Sequence, residues 1–373
     1  MAEIRLQNVQ KRFGDFTAVR EASFTVADGD FFVLLGPSGC GKTTTLRMIA
    51  GLELPSAGQI LLDGEDVTFS RASHRDIGFV FQLFALYPQM NVRHNIGFPL
   101  KCQGVPRAEI RRRVDEVAAL LRIEDLLDRS VAGLSSGDAQ RVALGRAIVR
   151  RAKAFMMDEP LGALDSEFRH LMCNELRALH DRIHATTVYV THDQTEAMLM
   201  ADVVAVMNGG LVEQLGAPME IYERPASVFV ADFIGAPAMN FLPFESALAQ
   251  GTEAIRIAGA EVAVPAVRED VSSRPLLCGV RPEHVRFADD APLRAEVLGT
   301  EYLGSCQIVT VATATGSTLR AKIDANAPAA RGDQVGLRFD AAAISLFDRG
   351  SGRALRTARN HPDTAVATGV CHG

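Results

Sequence analysis

The chain has 373 residues, of which 47% are hydrophobic and 23% are charged, so it is long enough to bury a full core in two or three domains. This composition excludes a disordered tail protein, and the formal net charge of −6 argues against a broad surface for nucleic-acid phosphates. The six cysteines are scattered singly without metal-ligand spacing, which is typical of reduced thiols in a cytosolic protein. No apolar run approaches the roughly 18 residues of a membrane span, so we expect any membrane association to go through a partner.

Apolar runs and amphipathic stretches alternate through the first part of the chain. Strand-like runs occupy residues 31–35, 77–81, 154–158 and 186–191, and helical stretches occupy residues 107–122, 138–151 and 166–183. This alternation predicts an α/β domain with a parallel sheet, which we place over residues 1–236.

Beyond residue 236 the apolar segments become short, alternate with polar residues, and are separated by Gly, Asp and Pro. This pattern predicts a separate, smaller all-β unit over residues 237–350. The proline-bounded stretch 216–237 is the expected connection. Residues 351–373 show little apolar periodicity and are expected to form a mobile tail.

A glycine-rich loop, GPSGCGKT, lies between the apolar run FFVLL and a helical stretch that ends at Gly51, and it fits the pattern G-x-x-x-x-G-K-[ST]. Its backbone N–H groups can surround a β-phosphate, Lys42 can reach the β- and γ-phosphate oxygens, and the Thr43 hydroxyl can coordinate Mg²⁺. The alternative is a glycine turn with a surface lysine. The residues predicted to bind the nucleotide are Gly36, Pro37, Ser38, Gly39, Cys40, Gly41, Lys42, Thr43 and Thr44.

Two adjacent carboxylates follow the apolar run AFMM. Asp158 ends the predicted strand, where it can hold Mg²⁺ through water, and Glu159 can accept a proton from an attacking water as general base. The alternative is a solvated acidic pair at a strand end. With a phosphate loop upstream, the pair predicts hydrolysis of a nucleoside triphosphate.

The stretch LSSGDAQR places two hydroxyls and a glycine at the start of a predicted helix. Ser135 offers a hydroxyl, Ser136 and Gly137 offer backbone N–H groups, and Asp138 lies in the first turn. Such a turn can cap its helix, bind an anion on the exposed N–H groups, or do both.

The order of phosphate loop, FVFQLFALYP, LSSGDAQR, MMDEPLGALD and VTHD resembles that of the ATP-binding cassette (ABC) ATPases of membrane transporters, over residues 1 to about 236. The resemblance implies an α/β P-loop NTPase fold, with a RecA-like core and a helical subdomain over about residues 84–152. It also implies a sandwich homodimer in which Ser135, Ser136, Gly137 and Asp138 bind an ATP held mainly by the partner chain. The family pattern is L-S-G-G-Q, and Asp138 in place of Gln suggests weaker or slower ATP-driven closure.

The same resemblance implies roles for four single residues. Gln82 corresponds to a lid glutamine that contacts Mg²⁺ and the attacking water; the alternative is an ordinary polar loop residue. His192 corresponds to a switch histidine at the γ-phosphate, although a lone strand-end histidine is more often structural. Asp165 corresponds to the loop aspartate that links the two active sites of the dimer. Phe13 corresponds to the aromatic residue that stacks on adenine, with a core aromatic as the alternative.

The C-terminal segments GVRPEHVRF and AEVLGTEYLGS resemble the OB-like (TOBE) regulatory domain of import ATPases for sugars and related solutes. The resemblance implies a subunit that hydrolyses ATP to import a sugar, a polyol or sn-glycerol-3-phosphate; polyamine, ferric iron and phosphonate importers share the architecture. It implies a homodimer at the cytoplasmic face of the cell inner membrane, bound to two integral-membrane permease subunits and served by an extracytoplasmic solute-binding protein. Tyr87 and Pro88 resemble the surface where a permease helix docks, or they pack as an ordinary apolar loop.

Two rival functions belong to other classes. Soluble cassette ATPases that act on nucleic acid carry long coiled coils, fused cassettes or basic arms, and this acidic chain shows none of these features. We therefore expect no nucleic-acid partner. A binding-only subunit with a decayed ATPase is the other rival, but Lys42, Asp158, Glu159, Gln82 and His192 are all present.

Overall fold

The computed structural model describes residues 2–81, 85–150, 152–162 and 164–361. The chain divides into two compact units, Met1–Pro218 and Met219–Gly373. No helix in the described ranges is long and apolar enough to cross a bilayer. The cysteines within these ranges are free thiols, as predicted, and Cys371 lies outside them.

The first unit contains ten strands and six helices within the described ranges. In chain order they are β1 Ile4–Phe13, β2 Phe16–Val26, β3 Phe31–Leu35, α1 Lys42–Ala50, β4 Ala57–Leu62, β5 Glu65–Asp66, β6 Ile77–Val80, α2 Val92–Cys102, α3 Arg107–Leu121, α4 Ser136–Ile148, β7 Ala154–Asp158, α5 Ser166–Ile183, β8 Thr186–Thr191, α6 Gln194–Met200, β9 Val203–Asn208 and β10 Leu211–Gly216.

These strands form one sheet in the order β5-β4-β1-β2-β10-β9-β3-β8-β7-β6. The strands β9, β3, β8, β7 and β6 pair in parallel, which confirms the predicted parallel sheet. All residues of β3, β7 and β8 are buried, as expected for parallel strands with covered faces. The strands β1, β2, β4 and β5 add an antiparallel part that the sequence analysis did not specify.

The helices α2, α3 and α4 pack on one another within the range predicted for a helical subdomain. The fully buried Asn95 of α2 organises the loop before this helix. Its side-chain amide accepts from the Tyr87 N–H at 2.8 Å and donates to the carbonyls of Tyr87, Met90 and Asn91, each at 3.1 Å. One buried amide therefore satisfies the backbone of a loop that has no regular structure of its own.

The second unit is an all-β domain preceded by two short helices, which confirms the predicted fold class. Its elements are α7 Pro218–Glu223, α8 Val228–Phe233, β11 Asn240–Leu248, β12 Ala254–Ile257, β13 Ala260–Ala263, β14 Val271–Val280, β15 Val285–Phe287, β16 Leu293–Tyr302, β17 Cys306–Thr313, β18 Thr318–Asp324, β19 Gln334–Phe339 and β20 Ser345–Asp348. The strands form sheets in the orders β11-β14-β20, β12-β13 and β15-β19-β16-β17-β18 around one apolar core.

The boundary between the units lies after Pro218 and not at the expected residue 236, because a buried arginine attaches α7 and α8 to the β-domain. Arg281 is 1% exposed, and its guanidinium donates to the carbonyls of Tyr222, Ala231 and Ile234. Its Cζ also lies 4.0 Å from the centroid of the Tyr222 ring. The helices of the expected connection are therefore an integral part of the second unit.

The tail expected from residue 351 is packed over its described part, and the expectation is wrong for residues 351–361. Leu355 and Thr357 are buried. The guanidinium of Arg359 donates to the Glu223 carbonyl at 2.7 and 2.9 Å and to the Ala342 carbonyl at 2.7 Å. These contacts arise from single residues and leave no periodic pattern in the sequence. Residues 362–373 lie outside the described ranges.

Candidate functional site

The phosphate loop connects the buried strand β3 to helix α1, and its first and last glycines are required sterically. A Cβ on Gly36 would lie 2.3 Å from the carbonyl oxygen of Met207 in β9. Gly41 has a φ of 105°, and a Cβ there would lie 2.6 Å from the Ala18 carbonyl oxygen. Only glycine fits where the loop backbone passes this close to neighbouring strands.

Lys42 is enclosed by the phosphate loop itself. Its side chain is buried, and Nζ donates to the carbonyls of Gly36 at 2.8 Å and Pro37 at 2.9 Å. The alternative of a surface lysine is therefore wrong. Beside it, burial raises the pKa of the Cys40 thiol, whose Sγ lies 3.8 Å from Nζ. The ammonium group is thus held inside the ring of backbone where a phosphate oxygen would bind.

Thr43 and Asp158 meet across two elements. The Thr43 hydroxyl at the start of α1 donates to Oδ1 of Asp158, at the end of β7, at 2.8 Å. Asp158 is 5% exposed, so the alternative of a solvated acidic pair is wrong for this residue. Burial raises the pKa of Asp158, and the Thr43 hydrogen bond acts in the opposite direction. A buried carboxylate with this balance is one that a cation would stabilise.

Glu159 and His192 come together at the carboxyl ends of neighbouring strands. Nδ1 of His192 lies 3.4 Å from Oε2 of Glu159. Glu159 has a φ of 43°, and its N–H donates to the Val190 carbonyl of β8 at 3.0 Å. A left-handed conformation costs a non-glycine residue on the order of 1 kcal/mol or more and is concentrated at functional sites. The backbone therefore presents the Glu159 carboxylate beside His192 at a strained position.

The turn LSSG caps its helix. Ser135 is the N-cap of α4, and its Oγ accepts from the Asp138 N–H at 3.1 Å. The same hydroxyl donates to Oδ2 of Asp138 at 2.7 Å. Ser136 is the first helical residue and has negative φ, so a side chain is tolerated there. A Cβ on Gly137 would lie 2.3 Å from the Phe168 ring, which explains a glycine at this position.

Asp165 and Phe13 occupy exposed positions. Asp165 is the N-cap of α5, and its Oδ1 accepts from the Phe168 N–H at 2.9 Å. Phe13 ends β1 and is 47% exposed, so the alternative of a core aromatic is wrong. The Nζ of Lys11 lies 4.7 Å from the Phe13 ring centroid and donates to Oε1 of Glu53 at 2.7 Å. Lys11 was not among the residues predicted from the sequence, although its two-residue spacing from Phe13 on a strand places both on one face.

Gln82 lies outside the described residues, but the segment after it borders a groove between β6 and the helices α2 and α4. Tyr87 and Pro88 are exposed, and the Tyr87 ring packs 4.7 Å from that of Phe98. The guanidinium of Arg146 donates to the Ala85 carbonyl at 2.6 Å and lies 5.3 Å from the Tyr87 ring. Arg146 thereby connects the helix that begins at the LSSG turn to the segment after Gln82, a contact the sequence analysis did not identify.

Comparisons with known proteins show which families and relatives this chain is similar to. The family described as ABC transporter matches residues 19–162, and the TOBE domain matches residues 278–347. An sn-glycerol-3-phosphate import ATP-binding protein of Cereibacter sphaeroides is 44% identical over 95% of this chain and 100% of its own length. A trehalose/maltose import ATP-binding protein of Thermococcus litoralis is 46% identical over 95% of this chain and 100% of its own length.

Solved structures share the cassette fold. A protein of Clostridium perfringens that is part of an ABC transporter complex superposes with a TM-score of 0.55 and 29% identity, over 58% of this chain and 89% of its own. A dimeric ATP-binding cassette with bound ADP and phosphate superposes with a TM-score of 0.52 and 30% identity, over 58% of this chain and 98% of its own. The chain therefore belongs to the ABC transporter ATP-binding proteins and is an ATPase, with a cassette followed by a TOBE domain.

Proposed function

We propose that this chain powers a membrane importer for a sugar, a polyol or sn-glycerol-3-phosphate by binding and hydrolysing ATP. The observation that carries the proposal is the junction of α1 and β7, where the Thr43 hydroxyl donates to the buried Asp158 carboxylate, next to Lys42, whose ammonium group is enclosed by loop carbonyls. The names of the relatives, which import sn-glycerol-3-phosphate or trehalose and maltose, support the class of solute.

The residues at this junction fit Mg²⁺. Hydroxyl and carboxylate oxygens are the ligands that Mg²⁺ prefers, and this ion uses few protein ligands because waters and phosphate oxygens complete its shell. Within the described residues, no group of three or more acidic, His or Cys residues that could hold a metal occurs. Thr43, Asp158 and Gln82 would hold the ion. Bound there, Mg²⁺ would neutralise charge on the β- and γ-phosphates.

The chain's own residues supply the remaining steps. The loop of residues 36–44 binds the phosphates through its N–H groups, and Lys42 exchanges its carbonyl contacts for phosphate oxygens. Glu159 accepts a proton from the attacking water, and His192 contacts the γ-phosphate. Gln82 helps to orient the water. Phe13 presents one ring face to adenine, since its exposure leaves room for stacking.

The active form we propose is a homodimer. Ser135 and Ser136 are exposed, and the helix N-terminus behind them favours an anion, so the turn is accessible to the γ-phosphate of an ATP bound by a second copy. Asp165 is exposed as well, and it would link the two ATP-binding sites of the dimer. The dimeric cassette with ADP and phosphate supports this arrangement.

The partners would be two permease subunits at the cytoplasmic face of the inner membrane, with an extracytoplasmic solute-binding protein acting indirectly. The groove beside Tyr87 and Pro88 would receive a permease segment. We assign the first unit, Met1–Pro218, to ATP hydrolysis, with the helical subdomain over about residues 84–152, and the second unit to regulation. Importers of polyamine, ferric iron or phosphonate are the alternative class, and a soluble ATPase acting on nucleic acid is the remote one.

This function is tested by measuring solute uptake in cells whose own copy of the chain has been deleted and replaced. Radiolabelled sn-glycerol-3-phosphate, trehalose and maltose are offered to cells that carry the wild-type chain or its Glu159→Gln variant, with Glu65→Gln, at an exposed site in β5, as the matched control. We expect uptake of at least one solute with the wild type and Glu65→Gln, and none with Glu159→Gln. Uptake of spermidine, iron or phosphonate instead would move the solute to the alternative class. ATPase activity stimulated by DNA would overturn the importer function.

A further inference from the structure

Arg169 lies in the first turn of α5, between two turns that the proposed function uses. Its N–H donates to the carbonyl of Asp165 at 2.9 Å, so the residue belongs to the turn that Asp165 caps. Its side chain is 27% exposed and points towards the turn that follows β8. No sequence motif marks this arginine as a site residue.

The guanidinium of Arg169 contacts both turns at once. Nη1 donates to Oδ2 of Asp193 at 2.9 Å, and Nη2 donates to the carbonyl of Leu164 at 2.8 Å. Asp193 directly follows His192, and Leu164 directly precedes Asp165. The planar fork of an arginine can donate to two acceptors in fixed directions, which a lysine ammonium group cannot do with the same geometry.

Asp193 transmits this contact to the backbone beside His192. Its Oδ1 accepts from the N–H groups of Thr195 at 2.7 Å and Glu196 at 3.4 Å, and its own N–H donates to Oγ1 of Thr191 at 2.9 Å. Burial acts to raise the pKa of Asp193, but the Thr195 N–H and the Arg169 guanidinium outweigh it and lower the pKa. Asp193 is therefore ionised, and hydrogen bonds hold both its carboxylate and its backbone N–H.

A buried carboxylate lies behind Arg169. Oε1 of Glu196 lies 3.6 Å from Nε of Arg169, and Oε2 accepts from the Tyr189 hydroxyl at 2.8 Å. Tyr189 is fully buried in β8. The chain of contacts therefore runs from the sheet through Glu196 to Arg169, and from Arg169 to the turns of Asp165 and His192.

We propose that Arg169 is a positioning residue, which holds His192 at a fixed position relative to the Asp165 turn. It thereby couples dimer contact at that turn to the catalytic geometry. The inference rests on the proposed function, because it uses the roles given there to His192 and Asp165. Without Arg169 the two turns keep their own caps but lose the side chain that joins them. Small displacements of a positioned group cost a reaction on the order of tenfold to a hundredfold in rate.

The test compares kcat and KM for ATP in the full chain and three variants. Arg169→Gln removes the fork, and Arg169→Lys keeps the charge. Arg177→Gln is the matched control, because Arg177 lies on the same helix, donates to the Met200 carbonyl at 2.9 Å and pairs with Asp202 at 3.0 Å. We expect Arg169→Gln to lower kcat by about tenfold to a hundredfold with KM within about twofold. Arg169→Lys should recover part of the loss, and the control should keep both constants.

A double-mutant cycle distinguishes the positioning of His192 from a structural defect. In the His192→Ala background, Arg169→Gln should lower kcat no further, because its effect passes through His192. Three results would overturn the proposal: a kcat loss in the double variant that equals the product of the two single losses, a rise in KM alone in Arg169→Gln, or an equal loss of kcat in Arg177→Gln. If His192→Ala is impaired but both Arg169 variants match the wild type, this inference fails and the proposed function stands. If His192→Ala keeps the wild-type kcat, the role of His192 fails and this inference fails with it.

Discussion

Replacing Asp138 by glutamine tests how the LSSG turn binds a partner's nucleotide. The hydroxyl of Ser135 donates to the Asp138 carboxylate at 2.7 Å, while the role proposed for Ser135 requires that hydroxyl to face a γ-phosphate. Closure of the dimer must therefore break this hydrogen bond and bring the carboxylate near a polyphosphate. Asp138→Gln removes both obstacles and restores the usual residue of the family.

The expected gain in dimer affinity follows from the hydrogen bond that closure breaks and the carboxylate charge that it brings near a polyphosphate. An exposed hydrogen bond to a carboxylate contributes about 1 kcal/mol, and two like charges about 4 Å apart in water repel by about 1 kcal/mol. The sum of about 2 kcal/mol per site corresponds to about 30-fold in affinity. In the opposite direction, loss of an acidic residue from the first turn of α4 costs about 0.5 kcal/mol of stability through the helix dipole. The variant should therefore close more readily although it melts slightly earlier.

The assay is sedimentation equilibrium with Mg-ATP, with Asp138→Gln introduced into the Glu159→Gln background to prevent hydrolysis. We expect the dimer dissociation constant to fall by at least about tenfold, and the difference to shrink at about 1 M salt, where the Debye length is about 3 Å. Glu109→Gln is the matched control, since Glu109 is acidic and lies in the first turn of α3. An unchanged or weaker dimer for Asp138→Gln would show that the Asp138 carboxylate does not oppose closure of the dimer.

Three further substitutions have defined outcomes. Gly36→Ala should weaken ATP binding more than about tenfold in calorimetry, because the new Cβ would lie 2.3 Å from the Met207 carbonyl oxygen; wild-type affinity would contradict this. Because the folded-state pKa of Asp158 is raised from 3.8, the stability that its protonated form contributes is lost as pH rises through the folded pKa. Asp158→Asn should therefore raise the melting temperature of the nucleotide-free protein more at about pH 8 than at about pH 4, and equal shifts would disprove it. Arg75→Met should lower the free energy of unfolding in urea by about 3 kcal/mol, since Arg75 is 2% exposed and donates to carbonyls at the C-terminal end of α1; a change below about 1 kcal/mol would count against that role.

The parts of the site that sequence predicts are those built from local spacing. The glycines of the phosphate loop, Lys42 and Thr43 are fixed by the connection between one strand and one helix. Asp158 ends a strand whose apolar run is plain in the sequence, so its position at the same sheet edge follows from parallel pairing. These residues needed no knowledge of distant contacts, and the structure brings Thr43 and Asp158 together as expected.

The parts that sequence did not predict depend on single polar side chains that connect distant segments. Arg281 moves the domain boundary by donating to three carbonyls of the preceding helices, and Arg359 anchors residues that lack apolar periodicity. Arg169 joins two turns that lie far apart in the chain. A hydrophobic pattern indicates which face of an element is buried, but it does not indicate to which backbone carbonyl an arginine side chain will donate.

Binding of ATP between two copies of the chain can be tested by the mass of the Glu159→Gln variant in solution, with and without Mg-ATP, by gel filtration coupled to light scattering. We predict that Mg-ATP shifts the variant to a stable dimer that retains two ATP molecules. A chain that binds ATP through its phosphate loop but stays monomeric at all protein concentrations would contradict the proposed binding of ATP between two copies.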